Sequence, residues 1–419
     1  MALEANPVIE ETNPVIEETI VPDGPQPGFM TGVRSLFGAN LRSYGIVAAL
    51  LLIVILFEVL TGGRLLQPNN IAALVMQNAY VMILAIGMVA VIVAGHIDLS
   101  VGSVVAFVGG LVAISMNHWG WPVPLAILMG LVVGAIVGCW QGFWVAYVGI
   151  PAFIVTLAGM LIFRGLAIVL VGQTVSPLPT SFNSIGNCSL PNFLGFLGNM
   201  DVLTIVIGAV AIVGFIWSQW RNRAQLLRHD LEVESFVAFI VKLVIISAVI
   251  GLLAWRLSLS RGGSPIILLV VGALILIFSF IMDRTRFGRY IYAVGGNRNA
   301  ALLSGVNTRR VDFQIFVNMG ILAAVAAIAT TARAGAGVAA AGQSFELDAI
   351  ASCFIGGTAV DGGVGRISGA MIGALIMGVL NMGLSILAVD AAWQQAINGL
   401  VLLLAVALDI ISKRRSQLA

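Results

Sequence analysis

The sequence predicts an all-α integral membrane protein, a polytopic helical bundle of about twelve membrane segments, and three observations predict it. Of 419 residues, 59% are hydrophobic and only 10% charged, with a mean hydropathy of +1.05, more apolar surface than a water-soluble fold can cover. Apolar stretches of roughly 17 to 25 residues, the length that crosses about 30 Å of hydrocarbon as a helix, recur along nearly the whole chain, which argues for a bundle and against a single anchor. The basic residues, finally, collect in alternate loops.

Residues 1–30 form an acidic stretch without Lys or Arg and carry the heptapeptide NPVIEET twice in tandem, from Asn6 and from Asn13. Its prolines and scarcity of aromatics predict a disordered, solvated tail. The first apolar run begins only near Ile46 and has no small-residue cleavage ending, so it is expected to remain as the first membrane helix. Membrane segments are expected at about 41–61, 71–94, 101–117, 121–147, 151–172, 202–220, 236–257, 264–282, 311–332, 345–360, 365–388 and 391–412 within a membrane domain spanning 31–412. The third and tenth are short and flanked by glycine. Broken or re-entrant helices at these places would leave ten full spans.

Placing the N-terminus inside puts fifteen Lys and Arg in inside regions, among them Arg221, Arg284, Arg289, Arg309, Arg310, Arg366 and Lys413, against three outside, Arg64, Arg261 and Arg333. Lys and Arg accumulate on the cytoplasmic side, so both termini are expected there, including the basic C-terminal stretch 413–419. The loop from Gly172 to Asp201 lacks Lys and Arg and falls outside, whereas the basic stretch from Asp283 to Arg310 falls inside, within reach of a cytosolic partner. Residues 221–260 read as an inserted helical pair entered by the charged linker RNRAQLLRHDLEVE.

With 21 basic and 19 acidic residues the charge is too balanced to suggest nucleic acid. Cys139, Cys188 and Cys353 offer no disulfide framework or metal cluster. There is no phosphate loop, no H-E-x-x-H and no G-x-S-x-G elbow, so no enzymatic apparatus and no bound cofactor are expected in this chain. If the protein pumps with ATP, another subunit must hydrolyse it.

In GHIDLSVGS, residues 95–103, Asp98 stands beside Ser100, Gly102 and Ser103 at the junction of two apolar segments. Its carboxylate and their hydroxyls can cap the following helix. An ionisable group at membrane depth, costing roughly 2.5–3.5 kcal/mol to insert, can also mark a substrate contact, and His96 is open to the same two readings. The pattern D-x-x-V-G recurs at Asp361–Gly365, each time ahead of a helix rich in small residues, and suggests a parallel internal repeat. Within AVGGNRNAALLSGVN, residues 293–307, Asn297 or Asn299 can cap a short helix through Ala300, Ala301 and Leu302 that Gly305 ends. Such a helix, lying on the cytoplasmic surface, makes either a docking knob or a plain connection. Small residues three or four apart, as in GLVVGAIVG and SGAMIGALIMG, predict close helix packing. Amides within apolar segments, Gln77, Asn78, Gln141, Asn318, Asn381 and Asn398, are candidates for a polar pathway or for bonds between helices, and Arg164 and Lys242 are expected to be paired or snorkelling.

GHIDLSVGS, AVGGNRNAALLSGVN and ASCFIGGTAVDGGVGRISGAMIGAL (351–375) occur in an order that resembles the membrane permeases of bacterial ABC sugar importers of the ribose, xylose and galactose type, over roughly residues 40–412. The resemblance implies the fold of type II ABC importer permeases, with a short cytoplasmic coupling helix. It further implies a pair of permease copies in the bacterial inner membrane, a periplasmic sugar-binding protein, and a cytosolic ATPase that uses ATP and Mg. The family's coupling role falls on Asn297, Ala300, Ala301, Ser304 and Gly305, and its two signatures on His96, Asp98, Ser100 and Gly102 and on Asp361 and Gly365. The extra pair at 221–260 resembles the longer xylose-type members, which points to xylose or a related aldose. A permease for another small polar solute, such as a branched-chain amino acid or a signalling sugar derivative, is the alternative. An ion-coupled secondary transporter would carry an acidic relay inside its helices.

Overall fold

The structure, a computed structural model, describes residues 41–229, 233 and 235–418. The acidic tail expected at 1–30 lies outside the described residues, as does most of 230–234; of 413–419, the helical backbone to Leu418 is described. Each of the twelve expected segments coincides with a helix. In order they are α1 (Leu41–Leu60), α2 (Pro68–Val93), α3 (Val101–Asn117), α4 (Val123–Phe143, prolonged by a π-helical turn at Trp144–Val148) and α5 (Ala152–Val171). After the short surface helix α6 (Thr180–Asn187) come α7 (Val202–Arg228), α8 (Phe236–Ser258) and α9 (Ile266–Arg284). Two short helices follow, α10 (Arg286–Gly296) and α11 (Arg298–Leu303), then α12 (Thr308–Ala334), α13 (Phe345–Ile355), α14 (Ile367–Ile386) and α15 (Ala391–Leu418). Starts carry the expected signals: Pro68 opens α2, Asp201 accepts from the Thr204 amide at α7, and Ser235 from the Ala238 amide at α8.

The connections sort into two ends. At one, the Asn69 side chain accepts from the Arg261 amide at 3.1 Å, Asn117 donates to the Pro177 carbonyl at 2.9 Å, Asn187 donates to the carbonyls of Ala332 and Arg333, and strand Thr174–Val175 pairs with Gly337–Val338. At the other, which carries the basic residues 284–310, the Gly363 amide donates to Val93 at 2.8 Å, the Thr156 hydroxyl to Ile97 at 3.3 Å, and Tyr147 and Phe313 place their rings 5.6 Å apart. Successive helices joined at these connections therefore alternate in direction.

Three details depart from the sequence reading. α7 runs on to Arg228, so the first half of the supposed linker is helix. Arg, Ala, Gln and Leu favour helix, and Arg221 and Arg223 lie over Trp217 and Phe239, which holds the charged turns against aromatic surface. The tenth segment is helical only from Phe345 to Ile355, roughly 16 Å, and irregular backbone at residues 339–344 leads into it; residues 94–100 likewise precede the 17-residue α3. The D-x-x-V-G repeats are not equivalent. Gly102 lies in the first turn of α3, whereas Gly365 stands in the loop before α14, because the second motif bends back at Gly362 and Gly363 with φ of +84° and +73°.

α2 and α12 form the centre of the bundle. Of α2's apolar window 83% is buried, and of α12's 72%, against 17% in α7 and α8. α4 reaches α12 through its glycines: a Cβ at Gly138 would stand 2.8 Å from Val317 Cα, and one at Gly320 would stand 2.8 Å from the Gly138 nitrogen. The backbones therefore touch as the small-residue spacing predicts.

Candidate functional site

At the basic end, α10, α11 and the start of α12 form one capped unit. Thr285 accepts from the Gly288 amide, the Asn297 side chain from Ala300 at 2.9 Å, and Asn307 from Arg310 at 3.0 Å. The Ser304 hydroxyl donates to the Ala300 carbonyl. Gly305, at φ +83°, reverses the chain where a side chain would be strained, and its amide and that of Val306 close the helix on Leu302 and Ala301. Ala301 is buried, whereas Leu302 and Leu303 are 59% and 89% exposed, an apolar tip such as a partner surface covers. Burial, reinforced by Asp283, pushes the Tyr292 hydroxyl above the ordinary phenol range, so it stays a donor to the Gly365 carbonyl at 2.7 Å.

This unit is tied to the bundle through His96, which the sequence singles out, and through Arg298 and Asp312, which it does not. Arg298, the first residue of α11, donates to one Asp312 oxygen, while His96 Nε2 meets the other at 3.1 Å. Asp312 is fully buried. Short helix, central helix α12 and the segment 94–100 are thus joined through a single carboxylate. An acid one turn into a long apolar helix was the available signal.

Asp98 accepts from the Ser100 amide at 2.8 Å and hydroxyl at 2.6 Å, and the Ser100 oxygen accepts from Gln141 at 2.6 Å. The carboxylate therefore holds the residue before α3 and does not bond Gly102 or Ser103. Gly102 matters by its size: a Cβ there would strike the Gly342 carbonyl and the Glu346 carboxylate. Asp361 is exposed in the turn before α14.

The six candidate amides divide. Gln77, Asn78 and Asn381 line a cavity of about 230 Å³ between α2 and α14, with Tyr80 and Ser385; Asn398 donates to Asn381 at 2.9 Å, and Asn78 to the Ala374 carbonyl at 2.6 Å. Gln141 is buried against Ser100, and Asn318 is half-buried on α12 outside this cavity. A second cavity, of about 270 Å³, opens where α3 and α13 begin, lined by Ser103, Arg164, Gln343, Ser344, Glu346 and Gln395 with Met160 and Leu161. Arg164 is paired, as expected of a charge at this depth, here with the carbonyls of Ala339 and Ala341 at 2.9 and 2.7 Å.

Residues 70–406 match the family model described as branched-chain amino acid transport system / permease component. The chain is similar to the xylose transport system permease protein XylH of Escherichia coli K12, 42% identical over 94% of this chain and 97% of the relative. It is also 42% identical to XylH of Haemophilus influenzae over 91% and 99% of the two chains. The ribose import permease protein RbsC of Bacillus subtilis is 33% identical over 90% and 95%. No solved structure matches. With a helix at each of the twelve expected segments, the apolar-tipped helix α11 capped by Asn297, and similarity over nearly its whole length, the chain belongs to this permease family as a xylose/ribose-type ABC permease, a transport subunit.

Proposed function

We propose that the chain is the membrane-spanning subunit of an ATP-driven importer that carries a monosaccharide, xylose or a related aldose, into the cell by alternating access. The observation that carries this reading is the 42% identity to xylose transport permeases over 94% of the chain. Two copies pair in the inner membrane with their termini, including the tail 1–30 and the stretch 413–419, on the cytoplasmic side, the side favoured by the clustered Arg residues. A periplasmic binding protein delivers the sugar to the end that carries residues 172–201. A separate ATPase holds ATP and Mg and receives α11, whose exposed Leu302 and Leu303 suit a groove on a partner.

ATP-driven closure of the ATPase pair moves α11. Arg298, Asp312 and His96 pass that motion to α12 and to the segment before α3, because a buried carboxylate bonded to both sides resists separation. Sugar crosses along polar surface such as that of Gln77, Asn78 and Asn381. A branched-chain amino acid is the second reading, favoured by the description of the matching family model.

The test is uptake in sealed vesicles holding the permease with its co-purified ATPase, given binding protein loaded with radiolabelled xylose, ribose, galactose or arabinose, or with leucine. ATP-dependent accumulation of xylose is expected. Accumulation of leucine and no sugar by an intact complex would replace the sugar reading with the second one.

A further inference from the structure

Backbone without regular hydrogen bonding is tolerated at membrane depth only where protein buries it or where it lines a polar cavity. Residues 339–344 are such a stretch. They pass beside Arg164, which stands roughly 18 Å along α5 from Ala152, near the middle of that helix. The Arg164 guanidinium holds two of their carbonyls, and Gly342 lies against the Gly102 backbone. Ser344, a residue with a side chain, is held at φ +63°, a conformation that persists only where its surroundings enforce it. This bend sets Gln343, Ser344 and Glu346 around the second cavity, facing Ser103 of α3, Arg164 of α5 and Gln395 of α15.

The chemistry of that lining is selective. One cation and one carboxylate balance, so a charged solute gains no net attraction. Two amides and two hydroxyls add donors and acceptors, and Met160 and Leu161 supply apolar surface. A hydroxyl group both donates and accepts, so a neutral polyhydroxylated ring uses every kind of group present, while its C–H face lies on the apolar side chains. At about 270 Å³ the cavity is close to the lower limit of roughly 300 Å³ for small-molecule sites.

Resting on the importer reading, we infer that the cavity at the junction of α3 and α13 is an intramembrane sugar site, in which Glu346, Gln343 and Gln395 bond the sugar's hydroxyls during transit. It is separate from the amide cavity of Gln77, Asn78 and Asn381.

The experiment measures uptake of xylose and of a second aldose carried by the same binding protein, in vesicles holding the whole complex. Glu346→Gln, Gln343→Ala and Gln395→Ala are compared with the unsubstituted permease. Because delivery is identical, a change in the ratio of the two uptake rates arises in the permease. Glu346→Gln is expected to shift that ratio by about fivefold or more, since exchanging a carboxylate acceptor for an amide donor affects sugars with different hydroxyls unequally. A purely structural effect lowers both rates alike. Gln343 and Gln395 are exposed, so their variants carry the test if the Glu346 variant fails to assemble. A ratio unchanged in every assembled variant, beside robust wild-type uptake, would overturn the site alone. No uptake of either sugar by the unsubstituted complex would sink the importer reading, and the site with it.

Discussion

If Asp312 links α11 to the rest of the bundle, Asp312→Asn should loosen coupling without unfolding the protein. The carboxylate is buried, with one oxygen bonded to Arg298 and the other 3.1 Å from His96. Asn keeps the shape, an acceptor for Arg298 and a polar group for His96, but removes the charge from both bonds. A hydrogen bond to a charged group is worth about 1.5–3 kcal/mol. The Arg298 side chain is 46% exposed, so water recovers part of its share, and the lower half of that range applies. About 1.5–2 kcal/mol is roughly a 10- to 30-fold weaker link. The assay is sugar imported per ATP hydrolysed in vesicles, expected to fall about tenfold in Asp312→Asn and to a similar degree in Arg298→Ala. Asp312→Ala leaves a half-exposed cation and an imidazole without their shared acceptor, and should also lower the melting temperature, by a loss of about 1–3 kcal/mol. Unchanged sugar per ATP in both Asp312→Asn and Arg298→Ala would refute the linkage.

Gly305→Pro should abolish ATP-driven uptake while membrane insertion stays intact, because proline cannot adopt φ +83° and lacks the amide that bonds Leu302; uptake and membrane-fraction blots read the two effects. Asn297→Ala removes the cap of α11, costs that helix about 1 kcal/mol, and should weaken recovery of the ATPase with the tagged permease several-fold. Gly102→Ala places a methyl group against the Gly342 carbonyl and Glu346. The predicted loss is about 1–3 kcal/mol of stability, seen as a lower melting temperature of the purified protein.

The positions of the helices at the twelve expected segments, a cap for α11 at Asn297 or Asn299 and its end at Gly305 are legible in the sequence, because hydrocarbon thickness, capping and left-handed glycine are local constraints; the fold chose Asn297. The glycine spacing of α4 likewise announces close packing before its partner α12 is known. Which helices are central is not legible. α8 is as apolar as α2 yet largely exposed, since a bilayer removes the contrast between core and surface that orders soluble folds. The breaks before α3 and α13 show in the sequence only as short, glycine-flanked segments; tertiary contact alone turns them into a junction, through the meeting of Gly102 with Gly342. His96, Arg298 and Asp312 are joined only when α11 folds back on α12, and Ser103, Arg164, Glu346 and Gln395 come together from four separate helices. Local sequence thus determined the elements and their ends, while the pairing of rare polar groups in an apolar medium, a long-range matter, was decided by the tertiary structure.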